Sequence, residues 1–309
     1  MAVAFIFPGQ GSQYSGMGKE LFDAFLEARE VFKEASEGAK VDIAKLCFEA
    51  PEEELTLTYN AQPAIFTLSM AILKVLEKAG FNEEPVLVAG HSLGEFSAAG
   101  AAKVISIHDG ALLVRKRGEF MQEAVPAGVG GMTAVIGLTS EKIEEVLKTV
   151  KSGFIQVANY NSPEQTVISG EIKALEEAEE KLKEAGAKKV VRLAVSAPFH
   201  SELMKPAAEK LKELMEEIEF KEAEVPILNN ADVKIIKTPE EIRDSFYRQM
   251  FSPVRWVEDV LKMKEMGVDT FYEIGPKNVL KGLIRRIDRS LKVINVEKPK
   301  DLEKLLSQS

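Results

Sequence analysis

A single cysteine, Cys47, among 309 residues excludes an internal disulfide and makes a reducing, cytoplasmic compartment the expected setting. Histidine is nearly as scarce. His91, His108 and His200 show none of the spacings by which metal ligands cluster, and no metal is expected. No apolar stretch approaches the roughly 18 to 20 residues needed to cross a bilayer. Residues 1–7 are apolar but carry no basic leader and run directly into Pro8-Gly9, which reads as an opening strand rather than a secretory signal. Positive charge is in deficit, with 40 Lys and Arg against 49 Asp and Glu. The resulting net charge of −9 repels nucleic acid and anionic membranes, so neither is an expected partner. Gly9-Gln10-Gly11 lacks the residues that would complete either nucleotide-binding fingerprint, and no cofactor is expected.

What is present is ordinary globular composition, 45% hydrophobic and 29% charged. Strand signals at 3–7 and 86–89, with helical stretches between them, predict a parallel α/β sheet. Residues 126–131, Pro-Ala-Gly-Val-Gly-Gly, read as a linker. Beyond it the pattern predicts a strand (132–136), a helix (140–150), two strands (155–159 and 166–169), a helix (172–185) and a strand (189–195). That order is a ferredoxin-like βαββαβ unit. From about Ser196 the α/β texture returns, with strands near 225–228 and 270–273. The expected architecture is an α/β-hydrolase-like large domain with a parallel sheet, residues 1–125 and 196–309, carrying an inserted ferredoxin-like subdomain over 126–195.

Gly90-His91-Ser92-Leu93-Gly94 lies between the strand at 86–89 and a helical stretch at 95–102. This is the setting of a nucleophile elbow, in which the glycines allow a sharp turn that presents the serine. A serine hydroxyl needs a base. His91 adjoins the nucleophile and should point away, and His108 reads as a helix-start residue, so His200 is the base by elimination. Many acids are present, and none is marked as the group that orients the base. The backbone N–H groups of Gln10 and Leu93 occupy the places from which an oxyanion is usually held. Arg115, Lys116 and Arg117 read most simply as a solvated helix face; an arginine turned inward would instead grip a carboxylate with two parallel hydrogen bonds. Residues 277–292 hold Lys277, Lys281, Arg285, Arg286, Arg289 and Lys292 against one acid, Asp288, either a solvated helix or a dock for an acidic partner.

Phe7-Pro8-Gly9-Gln10-Gly11-Ser12-Gln13, Gly16-Met17-Gly18, Gln62-Pro63, Gly90-His91-Ser92-Leu93-Gly94-Glu95, Arg117-Gly118, Asn161-Ser162-Pro163, Phe199-His200 and Gly275-Pro276 follow one another in an order that resembles the malonyl-CoA:acyl carrier protein transacylases. The resemblance spans nearly the whole chain and extends, more distantly, to the acyltransferase domains of polyketide synthases. It implies Ser92 as nucleophile, His200 as base, Gln10 and Leu93 as oxyanion donors, and Arg117 as the group that holds the malonyl carboxylate. It implies that the main-chain carbonyl of Gln249 orients the base, and that Gln62, His91 and Asn161 support the pocket. Malonyl-selective polyketide acyltransferases tend to carry His-Ala-Phe-His where this chain has Ala197-Pro198-Phe199-His200. Phe199, with Leu93, is therefore expected to disfavour an α-methyl branch. The implied partners are a coenzyme A thioester and acyl carrier protein; the basic stretch around Arg285, Arg286 and Arg289 is the candidate dock for an acidic carrier, and the enzyme is expected to be a monomer. A serine esterase or thioesterase using the same Ser and His is the alternative.

Overall fold

Every residue of Val3–Phe7 is buried, which suits a strand covered on both faces. The computed structural model describes residues 2–195 and 197–307; Met1, Ser196, Gln308 and Ser309, and with them the expected boundary at Ser196, lie outside the described residues. In chain order the strands are β1 (Ala2–Phe7), β2 (Leu87–Gly90), β3 (Gly130–Ile136), β4 (Ile155–Ser162), β5 (Gln165–Glu171), β6 (Lys189–Arg192), β7 (Ile227–Leu228), β8 (Ile235–Ile236), β9 (Val268–Ile274) and β10 (Lys292–Val296). They form a mixed α/β structure with two sheets. A six-stranded sheet runs β10-β9-β1-β2-β7-β8, parallel except where β8 turns back along β7. A four-stranded antiparallel sheet runs β4-β5-β3-β6.

Alternation along β1 sets the layers of the large sheet. Val3, Phe5 and Phe7 face one apolar cluster, and Ala4 and Ile6 face another that contains the fully buried Trp256. The first face is covered by the helices Thr58–Lys78, Leu93–Ala101 and Ile107–Glu123. The small sheet packs its own core of Val135, Ile143, Ile168, Leu175, Ala178 and Leu182 under the helices Ser140–Leu147 and Ile172–Glu184.

Three features differ from the sequence reading. Gly130 and Gly131, placed in the linker, are already part of β3 and pair with Glu171 and Gly170. β8 is only two residues long, and β10 is an edge strand with a half-exposed, mixed sequence, so neither shows the apolar run of a central strand. β4 does more than close its sheet. Val254 N–H donates to the Ala158 carbonyl at 2.8 Å and Tyr160 N–H donates to the Val254 carbonyl at 2.9 Å, which ties the small sheet's edge to the large unit.

Candidate active site

The parallel strands β1, β2 and β7 lie side by side, and the loops beyond their C-terminal ends carry Gln10, Ser92 and Asn230. Such a crevice is where open α/β sheets bind ligands. At the end of β2 the chain turns abruptly: Ser92 has φ 53 and ψ −108, a strained conformation for a residue with a Cβ. Neighbouring backbone makes the turn possible only with glycine on either side. A Cβ on Gly90 would lie 1.9 Å from the carbonyl carbon of Gly94, and one on Gly94 would lie 2.0 Å from the Phe7 oxygen. Asn230 steadies the strained residue by accepting the Ser92 N–H at 2.8 Å, while its own amide donates to the Gly90 carbonyl at 2.7 Å.

Ser92 Oγ lies 2.7 Å from His200 Nε2. His200 Nδ1 lies 2.9 Å from the Gln249 carbonyl, which can only accept, so the proton is assigned to Nδ1 and Nε2 is left free to take the serine proton. His200 is buried, and burial together with the nearby Arg117 charge lowers its pKa to about 3. The imidazole is therefore neutral at physiological pH, as a base must be. The Leu93 N–H opens the helix Leu93–Ala101, where it has no intrahelical partner, and Gln10 follows β1 with its side chain donating to Thr58 Oγ1 at 3.2 Å.

The solvated-face reading of residues 115–117 fails for Arg117. Arg115 and Lys116 pair with Glu119 at the surface, whereas Arg117 turns inward and is 1% exposed. Its Nη1 donates to Gln62 Oε1 at 2.7 Å; its Nη2 donates to Gln249 Oε1 at 2.9 Å and to Ser92 Oγ at 3.2 Å. The Phe96 ring lies under the guanidinium at 5.0 Å. Burial pulls its pKa down to about 9, which leaves it cationic at neutral pH. Among the described residues every hydrogen-bond partner of this buried cation is neutral, and its Nε has no partner. The guanidinium thus retains capacity for an anion directly beside Ser92.

The remaining residues singled out in the sequence divide into two groups. His91 Nε2 meets Asn161 Oδ1 at 2.7 Å, its pKa lowered by burial, and its ring packs edge-on against Trp256. Phe199 is buried beside His200. Arg285, Arg286 and Arg289 are not in the pocket; they are exposed around a groove of 860 Å³ whose other wall is Ser162, Pro163 and Glu164, directly beyond Asn161. His108 is exposed at the start of the helix Ile107–Glu123. Among the described residues no group of three or more His, Cys, Asp or Glu is placed to hold a metal.

Sequence reasoning missed a buried layer beneath Ser92. Glu95, fully buried, accepts from Ser245 Oγ at 2.7 Å, Gln249 Nε2 at 2.9 Å and Asn230 N–H at 3.0 Å. Burial raises its pKa, while these bonds and the Arg117 charge pull the other way. Asp259 accepts from Asn230 Nδ2 at 2.9 Å, and burial holds its pKa well above the usual carboxylate range. Gln249 contributes its side chain as well as its carbonyl, donating to the Ser92 carbonyl at 3.0 Å. A lone acid within the otherwise apolar run Leu93–Ala101 was a visible signal for Glu95. No comparable signal marks Asn230 or Asp259.

Comparison with known proteins places this geometry. Residues 4–300 match the acyl transferase domain family. A malonyl CoA-acyl carrier protein transacylase of Bacillus subtilis (strain 168) is 48% identical over 303 residues, covering 97% of this chain and 95% of its own. The crystal structure of an acyl-carrier-protein-S-malonyltransferase from Bartonella henselae superposes with a TM-score of 0.97 at 44% identity, covering 100% of this chain and 99% of the other. A malonyl-transacylase in complex with its type II PKS acyl-carrier protein superposes with a TM-score of 0.96 at 44% identity, covering 100% of both chains. The chain belongs to the acyl transferase family, among the malonyl CoA-acyl carrier protein transacylases.

Proposed function

We propose that this chain transfers a malonyl group from malonyl-CoA to the phosphopantetheine thiol of acyl carrier protein through a malonyl ester of Ser92, supplying fatty-acid biosynthesis. The observation that carries the reading is the 3.2 Å approach of Arg117 Nη2 to Ser92 Oγ. A carboxylate held by Arg117 places a thioester carbonyl one methylene away within reach of the nucleophile, which suits malonyl and misaligns longer diacids.

In the first half-reaction His200 Nε2 takes the Ser92 proton as Oγ attacks the thioester carbonyl. The oxyanion accepts from the N–H groups of Gln10 and Leu93. Collapse breaks the carbon–sulfur bond, and the departing CoA sulfur takes the proton from His200. In the second half the carrier thiol gives its proton to His200 and attacks the ester; Ser92 leaves and recovers the proton. The kinetics are ping-pong. The Gln249 carbonyl keeps the imidazole oriented without a charged partner, and Gln62 and Gln249 fix the guanidinium. His91 and Asn161 shape the wall between the two sheets.

The large unit, 1–125 and 196–309, is read as an α/β-hydrolase-like catalytic domain and 126–195 as a ferredoxin-like insertion, supported by the element order βαββαβ and the strand order β4-β5-β3-β6. The exposed arginines beside Ser162–Glu164 dock the acidic carrier, and the enzyme works as a cytoplasmic monomer without a cofactor. Among the described residues no helix is long and apolar enough to cross a membrane. A serine esterase would share Ser92 and His200 but has no use for a buried guanidinium at the nucleophile, and family membership does not favour it.

Intact mass spectrometry after brief exposure to malonyl-CoA tests the reading. The wild type gains one malonyl group and passes it to holo carrier protein, Ser92→Ala gains none, and Arg117→Ala loses its preference for malonyl over acetyl. Phe199→Ser accepts methylmalonyl more readily. Release of free malonate without a carrier, at the rate of label loss, would replace transfer by hydrolysis.

A further inference from the structure

His200 has φ 54, the left-handed backbone region, so the turn that carries it must be held by its surroundings. Within the turn, Ser201 Oγ donates to the Pro198 carbonyl at 2.6 Å and Met204 N–H donates to the Ser201 carbonyl at 2.8 Å. Those bonds leave the His200 carbonyl and the Glu202 N–H to be satisfied from outside. One side chain takes both. Gln156 Nε2 donates to the His200 carbonyl at 3.0 Å, and Gln156 Oε1 accepts from the Glu202 N–H at 3.1 Å. A primary amide carries its donor and its acceptor on separate, adjacent atoms and so spans both groups, which a carboxylate or an apolar chain cannot do.

Gln156 is carried by β4, not by the large unit. The same strand is bonded through Ala158 and Tyr160 to Val254, at the end of the segment whose Gln249 carbonyl orients His200 Nδ1. Its far end bears Asn161, which holds His91 next to the nucleophile. β4 therefore touches both supports of the base, the turn that contains it and the segment that orients its ring.

We propose that Gln156 is a positioning residue for the reaction: its amide fixes the left-handed turn at His200, so that the small sheet sets where the general base stands relative to Ser92. The inference rests on the reading of Ser92 and His200 as nucleophile and base. Gln156 touches neither substrate nor the reacting atoms. It acts on the rate of proton transfer, not on the grip on malonyl-CoA, which belongs to Arg117 and the pocket around it.

The test is single-turnover acylation of the full chain by malonyl-CoA, followed by rapid quench and intact mass, for wild type, Gln156→Met, Gln156→Glu and Ser92→Ala. Met keeps the length of the side chain and removes both hydrogen bonds; Glu keeps the acceptor for Glu202 and removes the donor to His200. The expected result is an acylation rate at saturating malonyl-CoA about 10-fold to 100-fold lower in both variants, with KM for malonyl-CoA and the melting temperature little changed. Either variant acylating at the wild-type rate overturns the proposal, as does a loss of rate that only follows a rise in KM and a fall in melting temperature. Should one variant fail to fold, the other decides. Absence of label on wild-type Ser92 would instead remove the nucleophile assignment, an outcome distinct from failure of the Gln156 proposal.

Discussion

Burial lowers the His200 pKa to about 3, and the Arg117 cation adds to that lowering. The two causes respond differently to substrate. A malonyl carboxylate on Arg117 cancels much of the charge that His200 faces, while His200, already buried in the free enzyme, gains little further burial. Because the neutral imidazole is the active form, activity is lost as pH falls through the His200 pKa, and that pKa is lower in free enzyme than in the complex. The acid limb of kcat/KM, which reports free enzyme, is thus expected at a lower pH than the acid limb of kcat. Arg117→Gln should move the kcat/KM limb upward. A pH–rate profile for Ser92 acylation measures both, and coincident limbs near 6.5 would mean a solvated base. The residues in this prediction were unequally legible. G-x-S-x-G exposes Ser92 in the sequence because its chemistry needs glycines at fixed positions. Residue pattern alone hid Arg117 among its neighbours Arg115 and Lys116, and only the family resemblance singled it out, since burial of one basic residue among three is decided by how the helix Ile107–Glu123 rests on Thr58–Lys78. Gln156 and Asn230 left no trace, because a neutral amide acquires a role only through partners far away in the chain.

At the scale of the element, β2 and the helix Leu93–Ala101 are joined with no free space at the joint. Gly94 packs against the Phe7 carbonyl of β1, the strand that also leads into the Gln10 loop. Gly94→Ala therefore displaces Ser92 and the Gln10 loop relative to each other. We expect about a 100-fold loss of Ser92 acylation and a melting temperature lower by several degrees, measured by rapid quench and calorimetry. An alanine variant with native kinetics would show that the helix slides freely past β1. Central strands were legible as elements from their unbroken apolar runs, whereas β8 and β10 were not, because their residues answer to an edge environment that a short window of sequence does not describe.

At the scale of the molecule, the proposed docking of an acidic carrier sets the net charge of −9 against the exposed Arg285, Arg286 and Arg289, which would act on it with opposite signs. Salt screens both, and the balance is decided by which is nearer. With the arginines in place, KM for the carrier should rise with ionic strength. In Arg285→Glu/Arg289→Glu the two new carboxylates outweigh the remaining Arg286, so repulsion dominates: KM should be higher at low salt and fall as salt is added, with Ser92 acylation by malonyl-CoA unaltered. Steady-state titration of the carrier at two ionic strengths reads the sign, and a variant whose salt dependence matches wild type would place the dock elsewhere. The order of the large sheet carries a consequence of another kind. β1 is the first strand of the chain yet lies between β2 and β9, near the middle of the sheet. On the ribosome its edge toward β9 stays open, with apolar side chains on both faces, until Val268–Ile274 has been made. Refolding should restore helicity long before activity, because the crevice that holds Ser92 forms only when β1, β2 and β7 pair across long stretches of sequence.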